Sequence, residues 1–205
     1  MLVFHNQSIV LLGVPKTGTS ALEAAVARQA SVAIQGPPTL RHMTFNMFQR
    51  DWAPVLQRTY NTRFETMAII REPLERLRSW YRYRALPQFE DTPLSSRGMD
   101  FDTFIEQTLQ ADPPRIGRIG AQDQFVNAPD GRVGVTHLFD YAQLDRACAW
   151  LADRLKRDIT LPPRNVSPDV PAELSSSLET QVRAVRAAEF ALYQRVAQAG
   201  HLEAA

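Results

Sequence analysis

Hydrophobic residues in this chain occur in short continuous runs, and each of the two clearest runs is followed by a stretch with helical spacing. The two runs are almost entirely apolar and cover residues 9–12 and 66–70. Runs of this length are typical of strands that are covered on both faces of a parallel sheet. The stretches that follow, residues 19–30 and 73–85, place apolar side chains at the spacing of one helix face. This alternation predicts an α/β fold, with helices packed on a central sheet.

Weaker patterns predict the remaining elements. Further strands are expected at residues 2–5 and 32–34, and further helices at residues 44–60 with an interruption near Pro54, 101–109 with Asp100 or Asp102 as its cap, 144–156 and 175–199. The dipeptide Asp130-Gly131 is a strong turn signal between apolar residues 125–126 and 133–138, which form either a hairpin or a turn that leads into a sheet strand. Residues 86–98 and 112–121 lack periodicity and are expected to be irregular.

Composition is that of an ordinary globular protein, with 44% hydrophobic and 22% charged residues among 205. The formal net charge of +1 gives no overall attraction to nucleic acid or to a membrane surface, so any anion site must be local. A single cysteine, Cys148, excludes an internal disulfide, and its apolar helical surroundings predict a buried side chain. The chain lacks the pattern of a secretory signal, and no run approaches the roughly 20 apolar residues of a membrane helix. We therefore expect a cytoplasmic protein without a membrane span and without a nucleic-acid partner.

The turn after the first apolar strand, residues 13–20, is the segment richest in candidate chemistry. Its sequence, GVPKTGTS, combines two glycines, three hydroxyl side chains and Lys16 just before a predicted helix. Such a turn collects unpaired backbone N–H groups and the positive end of the helix dipole around one point, which suits a phosphate. Lys16 is one of two lysines in a chain with twenty-one arginines. A compact ammonium suits one phosphate oxygen in a narrow loop; the alternative is a surface lysine in an ordinary turn.

A second candidate site follows the strand at residues 66–70. Arg71 leaves the carboxyl end of that strand, which is the edge where open α/β sheets bind ligands. Ser79 lies two helical turns after Pro73, on a face that can approach Arg71, so the pair can hold a second phosphate. Four further arginines of this helix either add positive field or form a solvated, salt-bridged face: Arg76, Arg78, Arg82 and Arg84.

The first turn differs from the Walker A motif, in which the lysine follows the last glycine and a hydroxyl residue binds magnesium. Here Lys16 precedes Gly18, and the spacing from Gly13 is wrong for that motif. The departure argues against a magnesium-dependent nucleoside triphosphatase. It favours a nucleotide whose phosphates are held by protein groups alone, without a metal.

The two motifs together resemble those of sulfotransferases that use 3′-phosphoadenosine 5′-phosphosulfate (PAPS). Residues 15–20, PKTGTS, are similar to the loop that binds the 5′-phosphosulfate, and residues 71–81, REPLERLRSWY, follow the 3′-phosphate pattern R-x-P-x-x-R-x-x-S-x-Y. Residues 139–144, 161–167 and 187–193 are similar to later segments of the carbohydrate-type or bacterial branch. The resemblance covers most of the chain and is weakest over residues 86–121.

The resemblance implies a single three-layer α/β domain over residues 1–205, with a central, mainly parallel sheet and a P-loop-like phosphosulfate-binding turn. Residues 86–121 would be a loop or insert on the acceptor side. The implied activity is transfer of a sulfuryl group from PAPS to a hydroxyl or amine of a carbohydrate or another small metabolite, with PAP, the desulfated nucleotide, as product. The implied nucleotide-binding residues are Pro15, Lys16, Thr17, Gly18, Thr19 and Ser20 for the 5′-phosphosulfate, Arg71 and Ser79 for the 3′-phosphate, and Arg164, Asn165 and Ser167 in a loop that closes nearby.

Sulfuryl transfer needs charge stabilisation on the leaving oxygen and a base that takes the acceptor proton. Lys16 is the expected catalytic group on the leaving side. Of the four histidines, His42 follows the second strand's loop and begins a helix, which places it at the ligand edge, as in several carbohydrate-type sulfotransferases. The competing bases are the carboxylates of Glu23, Glu90 and Asp91.

Two other functions are compatible with phosphate-binding turns. A small-molecule kinase of the P-loop type would need a lysine after the glycine and an acidic metal ligand after a strand, and neither is evident. A non-catalytic nucleotide-binding module would keep the phosphate sites without a base or an acceptor pocket. The sequence does not identify the acceptor or the oligomeric state.

Overall fold

A single six-stranded sheet forms the centre of the molecule in the computed structural model, which describes residues 1–162, 168 and 170–204. In chain order the strands are Leu2–Phe4 (β1), Ile9–Leu11 (β2), Val32–Ala33 (β3), Glu65–Ile70 (β4), His137–Asp140 (β5) and His201–Glu203 (β6). Their order across the sheet is β3-β1-β2-β4-β5-β6.

The helices fall between and after these strands. They are Thr19–Val26 (α1), Pro38–Arg41 (α2), Phe45–Met47 (α3), Ala53–Tyr60 (α4), Pro73–Arg84 (α5), Phe101–Leu109 (α6), Gln122–Val126 (α7), Leu144–Leu155 (α8), Ser176–Val185 (α9) and Ala187–Ala199 (α10). A π-helical turn, Phe48–Trp52, joins α3 to α4, so the predicted interruption lies just before Pro54. Within the described residues, no helix combines the length and the hydropathy needed to cross a membrane.

The centre of the sheet is parallel. β4 pairs parallel with both β2 and β5, whereas β1 pairs antiparallel with β2 and β3, and β6 pairs antiparallel with β5. Four of the six strands, β2, β3, β4 and β5, consequently run in one direction. The predicted α/β class with a mainly parallel sheet is confirmed. Because β2, β4 and β5 are parallel neighbours, their carboxyl ends meet at one edge.

Helices cover both faces of the sheet. Successive side chains of β4 point to opposite faces and are apolar on both, so each face needs a covering layer. Ile70 packs into a buried cluster that includes Leu192 of α10, whereas Ile69 faces the other side and packs with Leu22 of α1 and Leu151 of α8. Cys148 of α8 is buried in the second cluster, as predicted. Each fully buried leucine or isoleucine contributes about 1.5–3 kcal/mol relative to exposure. The result is the three-layer arrangement that the resemblance implies.

A third apolar cluster joins α5 to α6 and α9, beside the sheet rather than on it. The cap of α6 is Asp100, whose carboxylate accepts from the N–H of Thr103 at 2.8 Å. The other candidate cap, Asp102, accepts instead from the N–H of Ser175, ahead of α9. Asp102 therefore joins the ends of two helices that are distant in the sequence.

Three features differ from the patterns in the sequence. The predicted closing helix is divided at Arg186, which adopts φ −106° and ψ 27°. Residues 125–126 end α7 rather than forming a strand, so the turn at Asp130-Gly131 leads toward β5 and the hairpin is reduced to one bridge between Asn127 and Val133. β6 was not predicted: it is a three-residue edge strand placed after Gly200, whose φ of 68° ends α10.

Candidate active site

A cavity of about 120 Å³ opens at the carboxyl edge of the parallel strands. Its wall includes Lys16 and Gly18 after β2, Arg71 after β4 and Tyr141 after β5. The other lining residues are Val14, Thr19, Ser20, Ala21, His42 and Ser79. The cavity therefore brings the two predicted phosphate motifs and the predicted base to one place.

The loop before α1 has the conformation of an anion cradle. Lys16 and Gly18 adopt positive φ angles of 70° and 74°, and α1 begins at Thr19 directly after Gly18. The first N–H groups of a helix have no partner within the helix, and they carry the positive end of its dipole. At the start of α1, Thr19 and Ser20 line the cavity, whereas the N–H of Ala21 already donates to the carbonyl oxygen of Gly18 at 3.0 Å.

Two residues of the predicted phosphosulfate loop do not line this cavity. The Thr17 side chain is fully buried, because its hydroxyl donates to the carbonyl oxygen of Val14 at 2.9 Å and lies 3.0 Å from the hydroxyl of Thr19. Pro15 faces a neighbouring groove, and its carbonyl oxygen accepts a hydrogen bond from Arg76. Both residues shape the turn from behind rather than contacting the cavity.

Lys16 carries its ammonium into an aromatic environment. Its Nζ lies 4.0 Å from the centroid of the Tyr83 ring and 6.0 Å from that of Trp80, within the range of cation–π attraction. Burial lowers the pKa of Lys16, and together with the smaller effect of the positive charge of Arg71 it brings that pKa to about 8. A bound anion would reverse both effects, because it supplies the countercharge that the cavity lacks.

The backbone N–H and carbonyl oxygen of Arg71 are both hydrogen-bonded to one side chain, that of Gln122. Its N–H donates to Oε1 of Gln122 at 2.8 Å, and its carbonyl oxygen accepts from Nε2 of the same side chain at 2.7 Å. The guanidinium lies 4.7 Å above the Tyr141 ring and 3.6 Å from the Glu75 carboxylate. Ser79, on the next helix α5, lines the same cavity, as the helical spacing from Pro73 predicts.

The prediction that His42 begins a helix is wrong, because His42 ends α2. It lines both the cavity and a neighbouring groove. Its Nδ1 is 2.7 Å from the carbonyl oxygen of Gly13. Because a carbonyl oxygen only accepts, Nδ1 carries the hydrogen and Nε2 keeps a free lone pair. Burial lowers the pKa of His42 from 6.5, the bond to Gly13 opposes that shift, and Arg41 lowers the pKa further. His42 is therefore neutral at pH 7, which is the form that accepts a proton.

The competing carboxylates are placed differently. Glu23 is buried and accepts from Nε and Nη2 of Arg41 at 3.0 and 2.7 Å, so its charge is already paired. Glu90 is paired with Arg97 at 2.7 Å in an exposed position. Neither these carboxylates nor Asp91 line the cavity.

Behind the loop lies a buried ion-pair network centred on Arg76. This guanidinium is 1% exposed and donates to the carbonyl oxygens of Pro15 at 3.1 Å and Gly120 at 2.9 Å, and to the carboxylate of Glu189 at 3.2 Å. Burial lowers the pKa of Arg76 to about 10, although Glu189 raises it. The same carboxylate accepts from Arg186 at the break between α9 and α10.

A solvated, salt-bridged face was one alternative for the four arginines of α5. It is wrong for the buried Arg76 and Arg84, but Arg78 is paired with Glu75 at 2.9 Å. Arg84 is buried and donates to the carbonyl oxygen of Ile116. Arg78 and Arg82 donate to the carbonyl oxygens of Ala172 and Val170. Like Arg76, they hold irregular segments against α5 instead of adding charge to the cavity.

Three residues of the site were missed from the sequence. Tyr141 follows the carboxyl end of β5, so the edge rule that identified Arg71 could also have identified Tyr141. Tyr83 and Gln122 carry no comparable sequence pattern, because their partners Lys16 and Arg71 are distant along the chain. The predicted residues Arg164, Asn165 and Ser167 lie outside the described residues.

An open groove of about 600 Å³ adjoins the cavity, and His42 lines both. The groove is mostly apolar and lies between α2, α3, α5 and the segment before α7. A group bound in the groove thus lies beside the imidazole.

A comparison of the chain with known families identifies its relatives. The profile described as "Sulfotransferase family" matches residues 1–150. The chain belongs to the sulfotransferase family. All ten residues that line the cavity fall within the matched part.

No curated protein shows significant similarity to the chain. Among solved structures, it is similar to mouse sulfotransferase SULT7A1 complexed with PAP, with 15% identity and a TM-score of 0.42. That match covers 89% of this chain but 65% of the mouse chain. The match thus spans slightly less than two thirds of the mouse chain's length.

Proposed function

We propose that this sulfotransferase moves a sulfuryl group from PAPS to a hydroxyl or amine of a small acceptor and releases PAP. The observation that carries the proposal is the shared cavity, which Lys16, Arg71 and His42 line together. In this arrangement two cations meet the two anionic ends of the nucleotide, and the base lies beside them.

The 5′-phosphosulfate would bind at the loop of residues 16–20. Backbone N–H groups at the start of α1 and the Lys16 ammonium would stabilise the negative charge that grows on the phosphate oxygen as the sulfur–oxygen bond breaks. The 3′-phosphate would bind Arg71 and Ser79, whose guanidinium and hydroxyl provide charge-assisted hydrogen bonds. The loop of Arg164, Asn165 and Ser167 stays a prediction for closing over the nucleotide.

In the transfer step, the acceptor oxygen attacks sulfur and the bond from sulfur to the 5′-phosphate oxygen breaks. His42 would take the acceptor proton on Nε2, while its Nδ1–H stays bonded to Gly13. By analogy with phosphoryl transfer, a loose transition state needs positioning and charge stabilisation more than covalent help. The residues of this cavity can supply both without a metal.

The carbohydrate or small-metabolite acceptor and the cytoplasmic location stay predictions. We include residues 86–121 in the acceptor side of one domain, because Arg118, Ile119 and Gly120 line the groove beside His42.

Calorimetry with PAP in a metal-free buffer, compared with ATP plus magnesium, tests the nucleotide assignment. Transfer of ³⁵S from labelled PAPS to an acceptor mixture tests the reaction. PAP binding and labelled product support the proposal; binding of magnesium-ATP in place of PAP would indicate a kinase. PAP binding without transfer to any acceptor would indicate a non-catalytic module.

A further inference from the structure

We propose that the acceptor is an aromatic or other apolar alcohol bound in the groove beside His42, rather than a carbohydrate. The inference rests on the proposed sulfuryl transfer and concerns the substrate class of that same site. Its starting point is position: His42 lines both the phosphate cavity and the groove, so an acceptor bound in the groove lies beside the imidazole.

The groove presents a hydrocarbon surface. Its walls are built from Met43 and Met47 on one side, Trp80 and Phe125 on another, and Ile119. Aromatic and thioether groups bury large apolar areas, and methionine adapts its shape to flat rings. A volume of about 600 Å³ fits a molecule of one to a few rings.

The polar groups on the groove wall are largely engaged with the protein itself. The Thr44 hydroxyl accepts from the N–H of Met47 at 3.2 Å, and three nitrogens of the Arg76 guanidinium already donate to protein oxygens. Arg118 lies at the exposed rim, where it donates to Pro113 and contacts Asp112. Among the described residues of the wall, the groups not already engaged in this way are the Thr39 side chain, His42 Nε2 and the indole N–H of Trp80.

The excess of apolar groups over unengaged polar groups on the groove wall discriminates between classes of acceptor. A sugar buries several hydroxyls, and each one left without a partner costs about 1–3 kcal/mol. An alcohol with one hydroxyl needs one partner, which His42 Nε2 provides at the point where the proton must leave. The rest of such a molecule gains about 25 cal/mol for each Å² of apolar surface that the groove covers.

The test measures binding of two probes, 2-naphthol and glucose, to the protein saturated with PAP, by calorimetry. We expect 2-naphthol to bind and glucose not to bind in the same concentration range. Met47→Gln keeps a side chain of similar length but places an amide in the groove, and it should weaken 2-naphthol binding about tenfold. Val55→Gln is the matched control, because Val55 is a half-exposed apolar residue of α4 that does not line the groove.

Several results would overturn the inference while leaving the proposed function intact. They are glucose binding to the PAP complex in preference to 2-naphthol, no 2-naphthol binding to that complex, and equal effects of Met47→Gln and Val55→Gln. Failure of PAP itself to bind would instead overturn the proposed function, and the inference with it. Circular dichroism and thermal unfolding of both variants verify that they fold.

Discussion

The Nε–H of Arg76 donates a 3.1 Å hydrogen bond to the carbonyl oxygen of Pro15, so the buried guanidinium of α5 supports the loop between β2 and α1 from behind. The same side chain is paired with Glu189 of α10 and bonded to Gly120. One residue thus connects the loop after β2, the segment before α7 and the last helix. The geometry of the loop depends on this network as well as on its own sequence.

Arg76→Met should destabilise the protein by about 3–5 kcal/mol, because it leaves the buried Glu189 carboxylate with less compensation. It should also weaken PAP binding, since Pro15 loses its support. Denaturant unfolding measures the free energy, and Arg50→Met, at an exposed arginine, is the control. A loss below about 1 kcal/mol would mean that the ion pair contributes little to the fold.

His42→Gln should lower kcat by about 10²–10⁴-fold and leave PAP affinity unchanged, because the variant removes the proton acceptor but not the phosphate contacts. In the unchanged protein, kcat/KM should fall on the acid side as His42 becomes protonated, with a midpoint below pH 6.5 because burial lowers its pKa. His5→Gln is the control, since His5 does not line the cavity. Normal turnover of His42→Gln would remove His42 from the role of base.

Lys16 should make PAP affinity dependent on alkaline pH. The pKa of Lys16 is lowered to about 8 in the free protein, and bound phosphate favours the charged form and raises it. Affinity should therefore stay constant from pH 7 to 8 and fall above pH 8 by up to about tenfold per pH unit. The phosphates of PAP are ionised throughout this range. The change in affinity with pH therefore arises from a group of the protein rather than from the nucleotide.

Lys16→Ala should abolish that pH dependence and lower turnover by about 10²-fold or more. Lys156→Ala provides a matched control, because the second lysine of the chain is exposed and paired with Asp153. Calorimetry across the pH range, together with the transfer assay, measures both effects. A pH dependence that persists in Lys16→Ala would have to arise from another group.

Arg71→Ala should weaken PAP binding about 10- to 100-fold, which corresponds to the loss of charge-assisted hydrogen bonds to the 3′-phosphate. Adenosine 5′-phosphate lacks that group, so its affinity should change far less. Competition titrations with both nucleotides separate the two contributions, with Arg50→Ala as control. An equal loss for both nucleotides would place Arg71 at the 5′ end or in a structural role.

Local sequence patterns predicted the parts of the site that are continuous in the chain. Lys16, Gly18 and Arg71 follow apolar strands. Because the carboxyl ends of parallel strands meet at one edge of the sheet, the sequence predicted that these residues lie close together. His42 lies on a loop whose position was inferred from the same rule. These predictions succeed because strand and turn patterns are encoded within a few neighbouring residues.

Long-range contacts were not predictable in this way. Nothing near Gln122 indicates that its amide would bind both backbone groups of Arg71, and the burial of Arg76 depends on Glu189 from the last helix. The break at Arg186 has the same origin, since its guanidinium is drawn to Glu189 and to the carbonyl oxygen of Ile119. Hydrophobic periodicity predicts which side of a helix is buried. It does not predict which distant residue packs against that side, and these contacts depend on that residue.

The close contact between Gly18 and Tyr141 links the loop after β2 to Arg71, because the Tyr141 ring touches both. A methyl group on Gly18 would lie 2.8 Å from the Tyr141 ring, and the φ of 74° at this position would add backbone strain. The ring would have to move, and it is the surface on which the Arg71 guanidinium rests. A single added carbon in the loop after β2 would therefore also disturb Arg71, the residue proposed to bind the other end of the nucleotide.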